Sequence, residues 1–450
     1  MFPATDGLAV TNHAWAANPF SCGPVLDGKA PIAVRPIDIE EGVASLQLPR
    51  SRSGEPYQAL LGLVRRNGRP LGWVTLPVTP AGAVSLEGLA PAAEAAGELF
   101  DAPAVLNGHR PDAQPSEALG PPGAHNHLTA SRVPEPLLTV VVATCANVRS
   151  VVRCVQAILE GVAGRCEIVV VENRPSGSTV GLALEERFRG DERICYVEEH
   201  RRGLSRARNA GLDVARGELV AFTDDDVVVD PGWVPAIRAA FAASSEVGCV
   251  TGLILPLELE TPTQVLVERF ASFGKGFDPR VYSLDRPPPE QPLFPYTAGY
   301  FGSGANMAFR TDVLRGLGGF DAALGTGTRA RGGEDLDICI RLLHAGGHLA
   351  YEPRAIVWHR HPDTEARLRR QVFDYGAGMG AMLSKQLLTG PDRWTIVSRA
   401  PQGIRYFTDP ESRKNASRGS VFPGSLNRLE RAGLLYGPVA YLASRLGPRR

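Results

Sequence analysis

At 450 residues the chain has room for two or three domains of roughly 100–200 residues each. Its 48 basic and 48 acidic residues cancel, so no overall field draws it to nucleic acid, and a 44% hydrophobic fraction is that of an ordinary globular protein. Its seven cysteines are scattered with no C-x-x-C pair, which argues against a disulfide framework or zinc ribbon and reads as reduced thiols in a cytoplasmic protein.

The first twenty residues have neither the basic start nor the apolar core of a secretory signal. Residues 1–100 read as a small β-rich module. Within it, "YQALLGLVRRNGRPLGWVTLPV" is two β-rich runs joined at Asn67-Gly68, a strong short-range hairpin signal. "EGLAPAAEAAGELF" is expected to be a short helix, and residues 101–136, rich in Pro, Gly and Ala, a linker.

From Leu137 the pattern alternates. "LLTVVVAT", "CEIVVVEN", "ICYVEE" and "ELVAFTDDD" read as strands, and "RSVVRCVQAILEGV", "TVGLALEERFRG" and "SRARNAGLDVAR" as the helices between them. The pattern predicts an α/β domain with a parallel sheet covered on both faces. Ligands bind at the carboxyl ends of such strands, where Thr144, Glu172 and Asp224-Asp225-Asp226 fall. Further on, "GGEDLDICIRLLHAGG" is a helix led by Glu334-Asp335, and "HLAYEPRAIVWHRH" is a strand ending in His359 and His361. "RLRRQVFDYGAGMGAMLSKQLL" reads as helical, and the tail from Pro391 as polar and irregular until "SLNRLERAGLLYGPVAYLASRLGPRR". That basic tail, 386–450, with its short amphipathic segment, reads first as a helix packed on the catalytic domain. Peripheral contact with an anionic, inner membrane surface is the second reading. No apolar run approaches the roughly 20 residues a membrane span needs.

The chain lacks G-x-G-x-x-G after its first strand, a G-x-x-x-x-G-K-[ST] phosphate loop and H-E-x-x-H. It does have adjacent carboxylates, which repel unless a cation neutralises them. Asp224 and Asp226 form a D-x-D element, an oxygen donor set for a hard divalent cation that bridges to phosphates. Glu334-Asp335 opens a helix after a glycine-rich loop, and one of the two histidines is a candidate nitrogen ligand.

Five blocks, "TVVVATCANVRSVVRCVQAIL", "EIVVVENRPSG", "GLSRARNAGLDVARGELVAFTDDDVVVDPGWV", "GSGANMAFRTDVLRGLGGFDAALGTGTRARGGEDLDICIRLLHAGGHLAYEP" and "VWHRH", resemble the inverting family-2 glycosyltransferases with the GT-A fold. The resemblance covers about 137–385. It implies a nucleotide-diphosphate sugar donor, UDP-type as the first expectation, and a hydroxyl acceptor on a glycan, a lipid-linked molecule or a small molecule. It also implies a divalent metal, Mg2+ or Mn2+. Thr144 and Glu172 would lie against the nucleoside, Arg208 and Asn209 near the nucleotide, and Asp224 and Asp225 on the nucleotide sugar. Asp226, with Asp224 and His359, would bind metal; Asp335 would be the general base, with Glu334 beside it at the acceptor. A sugar-nucleotide pyrophosphorylase and a non-catalytic nucleotide- or carbohydrate-binding scaffold are the rival readings. No member of the constellation precedes the linker, so the β-rich module is expected to be dispensable for chemistry.

Overall fold

The computed structural model describes residues 30–87 and 89, and residues 135–447 except 163, 176, 178, 272, 410 and 417–422. Almost all of the expected linker and of the helix predicted at 87–100 lies outside the described residues.

The central layer is a nine-stranded sheet. Strand β6 (Leu138–Thr144) is buried along its whole length, and its side chains alternate between two cores. Val140 and Val142 join one core, and Val141 and Ala143 the other. A strand buried on both faces needs no polar alternation, hence the continuous apolar run. Beside it, in parallel, lie β7 (Cys166–Asn173), then β8 (Ile194–Glu199), and on the other side β9 (Leu219–Asp224).

Helix α1 (Val148–Gly161) covers the first face with Val151, Cys154, Val155 and Ile158, the i, i+3, i+4, i+7 spacing of one helical stripe. After α2 (Thr179–Arg187), α3 (Leu204–Val214) covers the second face through Ala207 and Leu212. Each such apolar side chain contributes roughly 1.5–3 kcal/mol when fully buried. Short β10 (Val227–Val229) leads to α4 (Trp233–Ala243), which returns to the first face.

The remaining strands extend the sheet beyond simple alternation. β11 (Val247–Pro256) and β14 (His348–His359) run parallel to one another, whereas β13 (Met307–Arg310) is antiparallel to both β11 and β9. β10 and β12 (Arg280–Tyr282) are antiparallel to β14. The result is a mostly parallel, helix-flanked α/β sheet, preceded by a β-rich module.

That module contains β1 (Ile32–Asp38), β2 (Ser45–Gln47), β3 (Ala59–Arg66), β4 (Arg69–Pro77) and β5 (Ala83–Ser85). The β3–β4 hairpin turns at Asn67 and Gly68, both at positive φ (49° and 74°), which explains the residue choice. The module is not a detached appendage. Leu63 packs with Leu253, Leu255, Ile356 and Trp358, while Ile32 and Leu61 pack with Leu259 and Val265 of α5 (Pro262–Ala271). Arg65 donates to Asp38 (2.9 Å) and to Asp230 (2.7 Å), and Tyr57 donates to Glu260 (2.7 Å). Dispensability was argued from chemistry alone; removing the module strips cover from the apolar face of β11 and β14.

After α6 (Thr311–Gly316) and α7 (Glu334–His344), the chain ends in helices. The irregular stretch expected from Pro391 instead holds α9 (Arg393–Thr408) and the single turn α10 (Arg413–Ala416). The closing α11 (Gly424–Leu446) lies along α8 (Glu365–Thr389). Gly376 and Gly380 of α8 meet Gly433 and Gly437 of α11, and a Cβ on any of the four would collide with the partner's backbone. The seam closes only because those side chains are absent. No helix among the described residues is long and apolar enough to cross a membrane.

Candidate active site

The chain leaves β6 toward β7 and β8, then returns on the other side to β9, so strand order reverses beside β6. The carboxyl ends flanking such a reversal splay apart and leave a crevice. Thr144 and Asp224 end the two adjoining strands there. The hydroxyl of Thr144 donates to Asp225 Oδ2 at 2.5 Å, which turns that carboxylate toward β6. Burial, reinforced by the charges of Asp226 and Asp224, pushes Asp225 up to about 7 despite this bond.

Asp226 is delivered elsewhere by the next strand. β10 pairs antiparallel with the end of β14 in the register Val227↔His359, which sets Asp226 beside that histidine. His359 Nε2 is 3.6 Å from Asp226 Oδ1. Asp224, Asp226 and His359 each offer one ligand atom, all within 4.8 Å of one another. Asp226 Oδ1 and His359 Nδ1 are buried without a hydrogen bond. Burial raises the Asp226 pKa, the negative charge of Asp224 adds to the rise, and His359 opposes it. Two carboxylates and an imidazole with orphaned polar atoms fit a hard or borderline divalent cation.

The second carboxylate pair faces the same crevice from α7. Gly333, at φ 88°, makes the left-handed turn that launches the helix. The two acids then diverge. Glu334 is buried and accepts from Arg208 Nη1 at 2.8 Å. Arg208 is itself buried, and its Nη2 donates to Asp224 Oδ1 (3.1 Å) and to the Gly304 carbonyl (3.0 Å). Burial, then the adjoining charge of Asp335, pushes Glu334 up to about 7 against the pull of Arg208. Asp335 is only half-buried and lines the open cavity. Its Oδ2 accepts from the Gly304 N–H (2.8 Å) and its Oδ1 from the Leu336 N–H (2.9 Å), fixing the carboxylate at a helix N-terminus.

The other expected residues separate. Glu172, fully buried on β7, accepts from the Tyr196 hydroxyl through Oε2 (2.5 Å), whereas its buried Oε1 has no hydrogen-bond partner. Asn209 is spent on structure. Its amide donates to the Phe320 carbonyl and its oxygen accepts from the Phe320 N–H, each at 2.8 Å. His361, the other histidine of the pair, lies 2.9 Å from Glu268 with both side chains buried, and does not join the cluster.

Three contributors were not legible in advance. Gly304 clamps both Arg208 and Asp335 by its backbone, Tyr196 holds Glu172, and Lys275 lines the cavity. Burial lowers the Lys275 pKa to about 8, against the attraction of Asp335. The glycines of "GSGAN" hinted at the first; nothing in the sequence marked the other two.

Residues 139–318 match the family model described as Glycosyl transferase family 2. A pre-mycofactocin glycosyltransferase from Mycobacterium tuberculosis is 32% identical over 36% of this chain and 31% of its own length. A glucosyl-dolichyl phosphate glucuronosyltransferase from Haloferax volcanii is 24% identical over 41% of this chain and 53% of its own. The chain thus spans only 31% to 53% of the length of these relatives. Among solved structures, a mannosyltransferase from Pyrobaculum calidifontis in complex with GDP-Man and Mn2+ superposes with a TM-score of 0.44 and 18% identity, over 69% of this chain and 86% of that one.

Proposed function

We propose that the protein is an inverting glycosyltransferase that moves a sugar from a nucleoside-diphosphate sugar to an acceptor hydroxyl. The observation that carries this is two acidic sets lining one cavity, Asp224 with His359 and Asp335 with Glu334, bridged by Arg208. The match of residues 139–318 to the family model, and relatives named as glycosyltransferases, support the same class.

Asp226, Asp224 and His359 would hold a divalent cation, Mg2+ or Mn2+. Bound there, the cation would offset the charge of the departing diphosphate as a Lewis acid. Thr144 and Glu172 would border the nucleoside, with the unpartnered Glu172 Oε1 suited to accept from a nucleobase N–H. Arg208 would keep Asp224 and Glu334 in place rather than touch the reacting bond. Asp335, fixed by two backbone N–H groups and open to the cavity, would take the acceptor proton. The deprotonated acceptor oxygen would attack the anomeric carbon opposite the leaving diphosphate, so no carboxylate nucleophile is needed.

The test is a panel of nucleotide sugars incubated with full-length protein, with and without chelator, followed for nucleoside-diphosphate release. Release that requires Mg2+ or Mn2+ is expected for at least one donor. Release of pyrophosphate from a nucleoside triphosphate, or no turnover of any donor, would sink the reading.

A further inference from the structure

The cavity that meets Asp335 extends well past it. Its volume is about 1120 Å³, above the roughly 300–1,000 Å³ of an ordinary small-molecule site, so it has room beyond a donor sugar. The far part runs between α8, α9 and α11, where Leu383, Leu387, Ile396, Ile404, Leu434 and Leu435 line it. Polar groups do occur along that wall, but they are engaged. Arg399 donates to the Phe294 carbonyl (2.7 Å), Arg431 to the Phe407 carbonyl (3.0 Å), and Lys414 pairs with Glu430 (2.7 Å). The hydroxyls of Tyr300 and Tyr406 bond to each other. What faces the far lumen is therefore mainly hydrocarbon.

A polyhydroxylated acceptor would be a poor occupant. Each hydroxyl taken from water and left without a partner would weaken binding by roughly tenfold or more. An aliphatic chain gains instead, because the driving force follows apolar area removed from water. Nearer α7 the wall turns polar, with Asp335 and Lys275 both lining the same cavity. Resting on the transferase reading above, we propose that the acceptor is an alcohol carried on an aliphatic chain, the chain lying between α8, α9 and α11 and the hydroxyl reaching Asp335. On transfer the hydroxyl proton passes to Asp335 and the acceptor oxygen bonds the anomeric carbon. The bond from that carbon to the diphosphate oxygen breaks, and its electron pair leaves with the nucleoside diphosphate.

The experiment titrates full-length protein, without donor, with n-alkanols from butanol to dodecanol and reads binding by thermal shift. Affinity is expected to rise about fourfold per methylene until the cavity is filled. Leu387→Glu and Leu435→Glu change side chains that are 38% and 79% exposed, so both variants should fold. Each should lose at least about tenfold in dodecanol affinity while stabilisation by UDP or GDP with Mn2+ persists. A second arm offers dodecanol in neutral phosphatidylcholine vesicles. Co-sedimentation with loaded but not empty vesicles identifies a bilayer-borne acceptor, and binding of the free alkanol alone identifies a soluble one. Affinity indifferent to chain length, or unchanged in both variants, overturns the proposal. Alkanol binding without nucleoside-diphosphate release from any donor would instead fell the transferase reading and leave the aliphatic site standing.

Discussion

The two ends of the cleft are built by different means. At the Asp224–Asp226 end, charge is gathered by sheet register: β6 and β9 end side by side, and β10 against β14 brings Asp226 to His359. The cost is electrostatic, visible in Asp225 pushed up to about 7 and in orphaned atoms on Asp226 and His359. At the far end, the wall is made by helix faces, and its cost is steric, a seam that tolerates only glycine. Backbone pairing sets the position of charges closely, whereas helix packing sets the bore of a channel. Substitutions at the two ends should therefore fail in different ways.

The largest expected effect is at the carboxylate between them. Asp335→Asn keeps the shape and an oxygen for one of the two N–H donors, Gly304 or Leu336, but cannot take a proton, so turnover should fall about 10²–10⁴-fold. Nucleoside-diphosphate binding, set at the other end, should hardly change. Turnover within a few-fold of the parent would remove Asp335 from the mechanism.

Asp226→Ala should weaken Mn2+-dependent nucleotide binding by about 100-fold or more, since even groups that only support metal ligands are commonly worth 10–100-fold. Calorimetry with UDP and GDP, with and without Mn2+, reads it directly. Equal affinity in both proteins would mean that the cluster holds no cation.

Gly437→Ala should strike stability rather than affinity. The new Cβ would sit 2.5 Å from the Ala381 nitrogen, and overpacking of this kind costs about 1–3 kcal/mol, partly offset by alanine's better helix propensity. A lower Tm with nucleotide binding intact is the expected pair of results; an unchanged Tm would show that the seam has slack.

The smallest effect is a pH slope. Glu334 has its folded pKa raised to about 7 from 4.5. An acid raised in this way adds stability that is full below about pH 4.5 and is lost as pH rises through about 7. Metal-free protein should therefore lose Tm between pH 5 and 8, and Glu334→Gln should lose less. Asp225 acts with the same sign, so some slope should remain. Parallel profiles would contradict a raised Glu334.

This contrast also explains what the sequence made legible. The alternating strands and helices from Leu138 to Asp224, and the carboxylates at their ends, announce themselves because fully buried strands are continuous apolar runs and charge next to them is conspicuous. The divergence of Glu334 from Asp335 could not be read, because neighbours on a helix start point about 100° apart and only the surroundings say which way is inward. Asn209 looked like a nucleotide contact, yet its amide is consumed by Phe320, about a hundred residues further along the chain. The helical end stayed hidden for a similar reason. The glycines of α8 and α11 are ordinary in composition and become a seam only when two distant segments meet. The N-terminal module was readable as strands and a hairpin, but its docking on β11 and β14 rests on Leu63, whose alternation fits a free-standing sheet equally well.

Arg208 couples the two carboxylate sets thermodynamically. One guanidinium answers both to Asp224 at the end of β9 and to Glu334 at the start of α7, so the two share a single counter-charge. A ligand that changes the charge facing Asp224 changes the proton affinity of Glu334, and by reciprocity a proton on Glu334 alters the affinity for that ligand by the same factor. Occupancy at one end and ionisation at the other are conjugate variables of one equilibrium. Measured binding constants for the cleft thus carry a pH, and measured titration curves carry a ligand concentration.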